Sequence, residues 1–351
     1  MRSAEGAITM ERNPATEEAE IAETVRAFHA LQARTAAEEN RPLRRGVHAK
    51  GVCARAVFEV LDVAEGRDPA LAARLARGIY ARPASYPATV RFSNSDPHVN
   101  DDSRPDVRGL AFCAELTPSG PAAAGAQVGR QDYSLQSWPT LPFNDVHAFV
   151  VFAKVFGAPN QAIGLGSLPL RDQLVFARTM VEAMQQKRQP VRPYQQLRYW
   201  STVPFRHGAE DVVKYSASPA AANPARALEK RNPNALRDEL IRHLNEDATM
   251  SSFDFGLQFL DTDHMTFQGK HRDASFWIEN ATVEWPEAQA PFHTVARLTL
   301  LPKSQLCAEA CEAEHIDVTR NFTTDSAPVG GINRVRSRAV AASRNARMGK
   351  S

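Results

Sequence analysis

The strand-like stretches of this 351-residue chain fall into two groups far apart in sequence, and that separation constrains the fold more than any other feature. Short runs of β-branched, aromatic and apolar residues, bounded by Gly, Pro and Asp, occupy residues 52–63, 89–92, 108–115 and 131–135. Comparable runs return only at 253–260, 281–285 and 294–301. Between the groups the apolar spacing is helical at 145–156 and 171–186, with proline punctuation at 189–193, 216–224 and 231–233. A β part assembled from both groups favours one large α+β domain over two independent ones. Ile21, Val25, Phe28 and Leu31 predict an amphipathic helix over 17–38, an N-terminal arm laid onto a larger body. Residues 118–129, rich in Pro, Ala and Gly, read as an exposed loop. Two further helical segments follow Pro302, the second over 332–350.

Charge and composition exclude several classes. The chain carries 42 Lys+Arg against 40 Asp+Glu, so its net charge of +2 gives no bulk electrostatic case for a nucleic-acid or membrane partner. Glutamates interrupt every apolar run in the first 22 residues, which argues against an export signal. No stretch approaches the roughly 20 apolar residues of a membrane span; His147 and Lys154 break the best candidate. Cys53, Cys113, Cys307 and Cys311, in a chain of this size, read as reduced thiols of a cytoplasmic protein. Gly164-Leu165-Gly166 completes neither a dinucleotide fingerprint nor a P-loop, and there is no HExxH or GxSxG.

Three ordered motifs carry chemistry: Arg45-Gly46-Val47-His48-Ala49-Lys50-Gly51 directly before a strand, Val90-Arg91-Phe92-Ser93, and Asp106-Val107-Arg108-Gly109-Leu110-Ala111. Together they resemble the haem catalase family. The likeness runs through Pro139 and the Phe149 region. Late segments at 199–215, 280–286 and 328–336 resemble the shorter catalase-related branch without the extra C-terminal domain. It implies an N-terminal helical arm over 1–40 that embraces a partner subunit of a homo-oligomer. A closed antiparallel β-barrel with helical insertions would fill 41–305, and a C-terminal helical segment 306–351.

Cleaving an O–O bond requires a base that takes a proton from one oxygen and returns it to the other, a task for a histidine near neutrality. The resemblance assigns that role to His48, with Ser93 fixing its ring. It pairs Arg45 and Arg91 with haem propionates, a buried structural ion pair being the other reading of Arg91. Val47 and Phe149 would wall the distal face. Gln136 stands where the family has a distal asparagine. On the proximal side Arg336 matches an arginine one helical turn before the iron-ligating tyrosine, but the tyrosine position is Val340. Tyr215 is the last tyrosine of the chain, and Ser337 and Ser343 are neutral hydroxyls. The implied function is a haem protein acting on hydrogen peroxide or organic hydroperoxides. Alternatives are a repurposed oxidation or rearrangement enzyme and a haem-free binding protein on the same barrel.

Cys307, Cys311 and His315, at i, i+4 and i+8, would share a helix face, read mainly as a buried stripe and secondarily as metal ligands. The basic segment over 332–350 reads as a solvated helix face. Trp138, Trp200, Trp277 and Trp285 read as core or rim packing.

Overall fold

Alternation sets the first strand. In β1 (Gly51–Val60) the residues Val52, Ala54, Ala56, Phe58 and Val60 share one buried face, and Gly51, Cys53 and Arg55 lie on the other. The same period turns Val90 and Phe92 of β2 (Ala84–Asn94), Leu110 and Phe112 of β3 (Arg108–Glu115), and Tyr133 and Leu135 of β4 (Arg130–Gln136) inward. β5 (Tyr199–Trp200), β6 (Phe205–His207), β7 (Asp211–Pro219), β8 (Ser251–Phe259) and β11 (Phe292–Gln305) complete the sheet. β9 (Thr266–Phe267) and β10 (Lys270–His271) form a separate hairpin. The computed structural model describes residues 11–12, 14–116, 129–221, 223, 226–246 and 250–349. Of the segment read as a loop over 118–129, only Gly129 lies among them.

The strands run in the order β5-β4-β3-β2-β1-β11-β8-β7-β6, and β5 also pairs with β7, so eight antiparallel strands close on themselves with β6 appended. This is the expected α+β architecture with a closed antiparallel barrel. Its interior is aromatic: Phe112 stacks on Tyr133 at 4.5 Å and Phe58 meets Phe255 edge-on at 5.3 Å. Tyr80 and Tyr133 satisfy each other's hydroxyls at 2.7 Å.

Nine α-helices are present among the described residues: α1 (Glu17–Glu38), α2 (Pro69–Leu75), α3 (Val146–Gly157), α4 (Gln161–Gly166), α5 (Leu170–Lys187), α6 (Ala235–Asn245), α7 (Ala274–Glu279), α8 (Ala308–Ala313) and α9 (Gly331–Arg347). The expected arm is α1, which buries Ile21, Thr24, Phe28, Leu31 and Thr35. Phe28 meets Phe149 of α3 at 5.3 Å, and Gln32 donates to the Ser343 carbonyl of α9 at 3.3 Å. Thr24 and Thr35 return their hydroxyls to the carbonyls of Glu20 and Leu31, so neither buries an unpaired group. His147 at the start of α3 bonds Glu20 of α1 at 2.8 Å and Asp172 of α5 at 3.2 Å, tying three helices together.

Several expectations are corrected. Residues 281–285 form no strand: Asn280 caps a turn by accepting from the Thr282 amide and hydroxyl, and Val283 and Trp285 bury in a separate cluster with Trp277. Between the helices and connections of the middle third and the second group of strands, β5, β6 and β7 add strands that no local pattern marked. The cysteines are not all reduced, since Cys53 of β1 and Cys311 of α8 form a disulfide across 258 residues, Cα atoms 5.3 Å apart. Cysteine usage therefore no longer argues for a reducing compartment. The Cys307, Cys311, His315 stripe does not form: α8 ends at Ala313, Cys307 is exposed, and Cys311 is committed to the disulfide. Among the described residues no group of three His, Cys, Asp or Glu is placed to hold a metal, and no helix is long and apolar enough to cross a membrane. The basic face of α9 is not simply solvated. Arg334 pairs with Glu11 and Glu17, Arg347 with Glu312, and Arg336 donates to Ser134 at 2.7 Å.

Candidate functional site around His48

The register of four strands lays out the floor of the site on the outer face of the barrel. Gly51, Ser93, Gly109 and Gln136 form one row across β1 to β4, and Cys53, Arg91, Ala111 and Ser134 form the next. Apart from Arg91 and Gln136 these are small residues, and two glycines make room for the larger side chains. A Cβ on Gly109 would sit 2.6 Å from Ser93 Oγ and 3.0 Å from His48 Nδ1. A Cβ on Gly51 would sit 2.6 Å from the Arg91 guanidinium carbon.

His48 lies just before β1 with φ +59°, the left-handed region that costs a non-glycine residue about 1–3 kcal/mol. Three contacts hold it there. Its amide donates to the Ser95 carbonyl at 3.1 Å, its carbonyl accepts from Arg91 Nη2 at 2.8 Å, and its Nδ1 lies 3.0 Å from Ser93 Oγ. Burial, then the charges of Arg91 and Arg336, push its pKa down to about 3, so the ring is neutral near pH 7.

Arginines surround this ring. Arg45 bonds Glu312 at 2.9 Å and the Glu314 carbonyl, and Glu312 also meets Arg347 at 3.3 Å. Arg91 has no carboxylate partner among the described residues, which removes the reading of a structural ion pair. Burial, then the Arg45 charge, lowers its pKa to about 9. His315 is lowered to about 4 by burial, then by Arg347 and Arg344. The buried Nε atoms of Arg91, Arg344 and Arg347 have no hydrogen-bond partner among the described residues. A cluster of guanidiniums with unpaired donors and few acids is suited to oxyanions, above all carboxylates.

The sequence-derived candidates therefore divide. His48, Ser93 and Arg91 are joined by hydrogen bonds, and the charges of Arg45 and Arg336 reach the same ring. Gln136 shares the Ser93 row but two strands away, roughly 10 Å, and its amide donates to the carbonyls of Thr140 at 2.8 Å and Trp138 at 3.4 Å. Val47 is exposed and Val340 of α9 half-buried. Phe149 packs on Phe143 at 4.4 Å and on Phe28, within the α1–α3 contact. Sequence reasoning missed Gly51 and Gly109 as spacers, and Glu312, Arg344 and Arg347 as neighbours of Arg45. The glycines stood inside the motifs; the C-terminal residues gave no local signal.

No protein-family model matches this chain, and no curated protein does. Solved structures do. A fungal catalase matches with a TM-score of 0.65 and 14% identity over 92% of this chain and 63% of that one. Catalase A from Saccharomyces cerevisiae matches with a TM-score of 0.65 and 15% identity over 90% and 63%. A bacterial catalase matches with a TM-score of 0.62 and 16% identity over 91% and 60%. The chain thus spans about three fifths of the length of these proteins. Superposition over nine tenths of the chain gives it the catalase fold.

Proposed function

We propose that this chain is a catalase-fold protein whose His48 site binds an anionic ligand carrying carboxylates. The observation that carries this reading is the set of unpaired, buried guanidinium nitrogens on Arg91, Arg344 and Arg347. Each is a donor for which the described residues supply no acceptor, and unpaired buried polar groups are costly. A neutral His48, oriented by Ser93, adds one uncharged donor or acceptor beside them.

The catalase fold implies haem, whose propionates suit these arginines. The axial side does not suit it. Val340 has no donor atom, no tyrosine lies on α9, and burial raises the pKa of Tyr80, Tyr133, Tyr194, Tyr199 and Tyr215 within the barrel and its surroundings. The residues present do not fit a haem held by a side chain of α9.

A second reading, turnover of hydrogen peroxide or an organic hydroperoxide on haem, is favoured by the His48–Ser93 pair at 3.0 Å, and it requires an axial ligand from elsewhere. One titration separates the two. Metal-free protoporphyrin and hemin carry the same two propionates and differ in iron. Comparable binding of both, weakened at least tenfold by Arg91→Ala, supports the carboxylate reading. Much tighter hemin binding, with a ligated Soret band and peroxide consumption lost in His48→Ala, supports the second. Binding of neither, nor of a panel of smaller dicarboxylates, refutes the first. Val340→Tyr serves as the control, because it restores a phenol one helical turn from Arg336.

A further inference from the structure

Residues 307–316 are fastened at both ends and held in the middle by one covalent bond. Just before them the Leu306 amide donates to the Cys53 carbonyl at 2.9 Å. Just after them the Asp317 amide donates to Asp132 at 2.7 Å, a carboxylate that also accepts from Asn321 at 2.8 Å. Between these anchors Cys311 alone is buried, and it is joined to Cys53. The disulfide, rather than a packed apolar face, keeps the segment down.

The segment lies on the arginines beside His48 in the manner of a ligand. It offers Arg45 the Glu312 carboxylate at 2.9 Å and the Glu314 carbonyl. To Arg347 it offers the same carboxylate at 3.3 Å and the His315 ring at 3.4 Å, and to Arg130 the His315 carbonyl at 2.7 Å. These acceptors compete with any carboxylate brought from outside.

The bond that holds this built-in occupant is shielded, since Cys53 is fully buried and Cys311 only 6% exposed. Cys307 is exposed and free, and its carbonyl accepts from the Cys311 amide at 2.9 Å, one turn of α8 away. Four residues of helical rise, about 6 Å, fall within the separation of about 4.4–6.8 Å that a disulfide spans between Cα atoms. Cys113, the other free thiol, is buried two strands from Cys53.

We propose that residues 307–316 are a thiol-controlled gate over the arginines of the His48 site, held shut by Cys53–Cys311 and opened by exchange with Cys307. The Cys307 thiolate bonds to Cys311 Sγ as the Cys53–Cys311 bond breaks. The electron pair leaves on Cys53, which takes up the proton that Cys307 released, so the exchange involves no net oxidation. A dithiol then reduces the Cys307–Cys311 bond and is itself oxidised to a disulfide, leaving two thiols. The gate rests on the carboxylate reading of the site; the exchange does not.

The test uses the full oxidised chain. Limiting dithiothreitol, followed by alkylation and peptide mapping, should find Cys53 alkylated while Cys307 and Cys311 are linked. Cys307→Ser should slow opening about tenfold, and Cys113→Ser should leave it unchanged. Opening should speed amide hydrogen exchange over 307–316 and tighten metal-free protoporphyrin binding about tenfold. Glu312→Gln should give the same gain in the oxidised chain, with little added by reduction, while circular dichroism confirms the fold. Opening of Cys307→Ser at the wild-type rate would overturn the exchange. Protoporphyrin binding that is measurable but unchanged by opening would overturn the gate alone. Absence of binding in both states would refute the carboxylate reading and the gate with it, whereas the rate of Cys307→Ser decides the exchange independently.

Discussion

At the scale of single residues, His48 combines a left-handed backbone, a hydrogen bond to Ser93 and a ring that resists protonation. The resistance is partly electrostatic, so an anion that neutralises Arg91 should relieve it. Titration of the ring by NMR should give a pKa near 3 in the free protein and a higher value with a dicarboxylate bound. An unmoved value would place the ligand away from His48. Between the ordinary histidine pKa of about 6.5 and this value the unfolded chain binds the extra proton. The His48 contribution to stability is therefore fully present above about pH 6.5 and lost as pH falls toward 3. Urea unfolding of His48→Ala should show a shallower acid limb than wild type. Gly109→Ala tests the spacer beneath the ring. Its methyl group would force Ser93 and His48 apart, at about 1–3 kcal/mol, and ligand affinity should fall further than stability alone explains.

At the scale of elements, the helices over the barrel are pinned by His147 between Glu20 and Asp172. Partial burial pushes its pKa down, but the hydrogen bonds and charges of those two carboxylates outweigh this and hold it above 6.5. Its contribution has the opposite sign to that of His48, being fully present below about pH 6.5 and lost as pH rises through the raised value. His147→Ala should flatten the alkaline side of the stability curve, as read by chemical unfolding at several pH values. The sequence disclosed the elements whose patterns are local. β1 and β3 are short apolar runs bounded by Gly, Pro and Asp, and α1, α3 and α5 have helical spacing, so their ends came within a few residues. β7 was hidden because Lys214 sits mid-strand; it is buried over Trp285 at 4.9 Å by a segment about 70 residues downstream. Residues 281–285 misled for the converse reason, since alternating apolar residues there serve a turn. Of the site, the motifs carrying Arg45, His48, Arg91 and Ser93 were legible. The arginines of α9 and Glu312 were not, because only the folded chain brings residues about 300 apart into one cluster.

At the scale of the whole molecule, the Cys53–Cys311 disulfide ties the first barrel strand to the segment after the last one. It also keeps Glu312 against Arg45 and Arg347. Reduction, or Cys311→Ser, should cost about 2–4 kcal/mol of stability. It should also alter anion affinity, because Glu312, which competes for those arginines, is loosened. Denaturant melts with and without a dithiol reductant check the first, and the protoporphyrin titration checks the second. The position of β1 between β2 and β11 carries a different consequence. A chain emerging from the ribosome can pair β1 through β4 as a curved half-shell. The free edge of β1 then waits for a strand that ends only at Gln305. Until that strand arrives the Phe58 and Phe112 faces lie open and an unpaired strand edge is available to other chains. Closure depends on contacts of very long sequence separation, so productive folding should be slow. The yield of soluble protein should respond to chaperones that shield nascent strands.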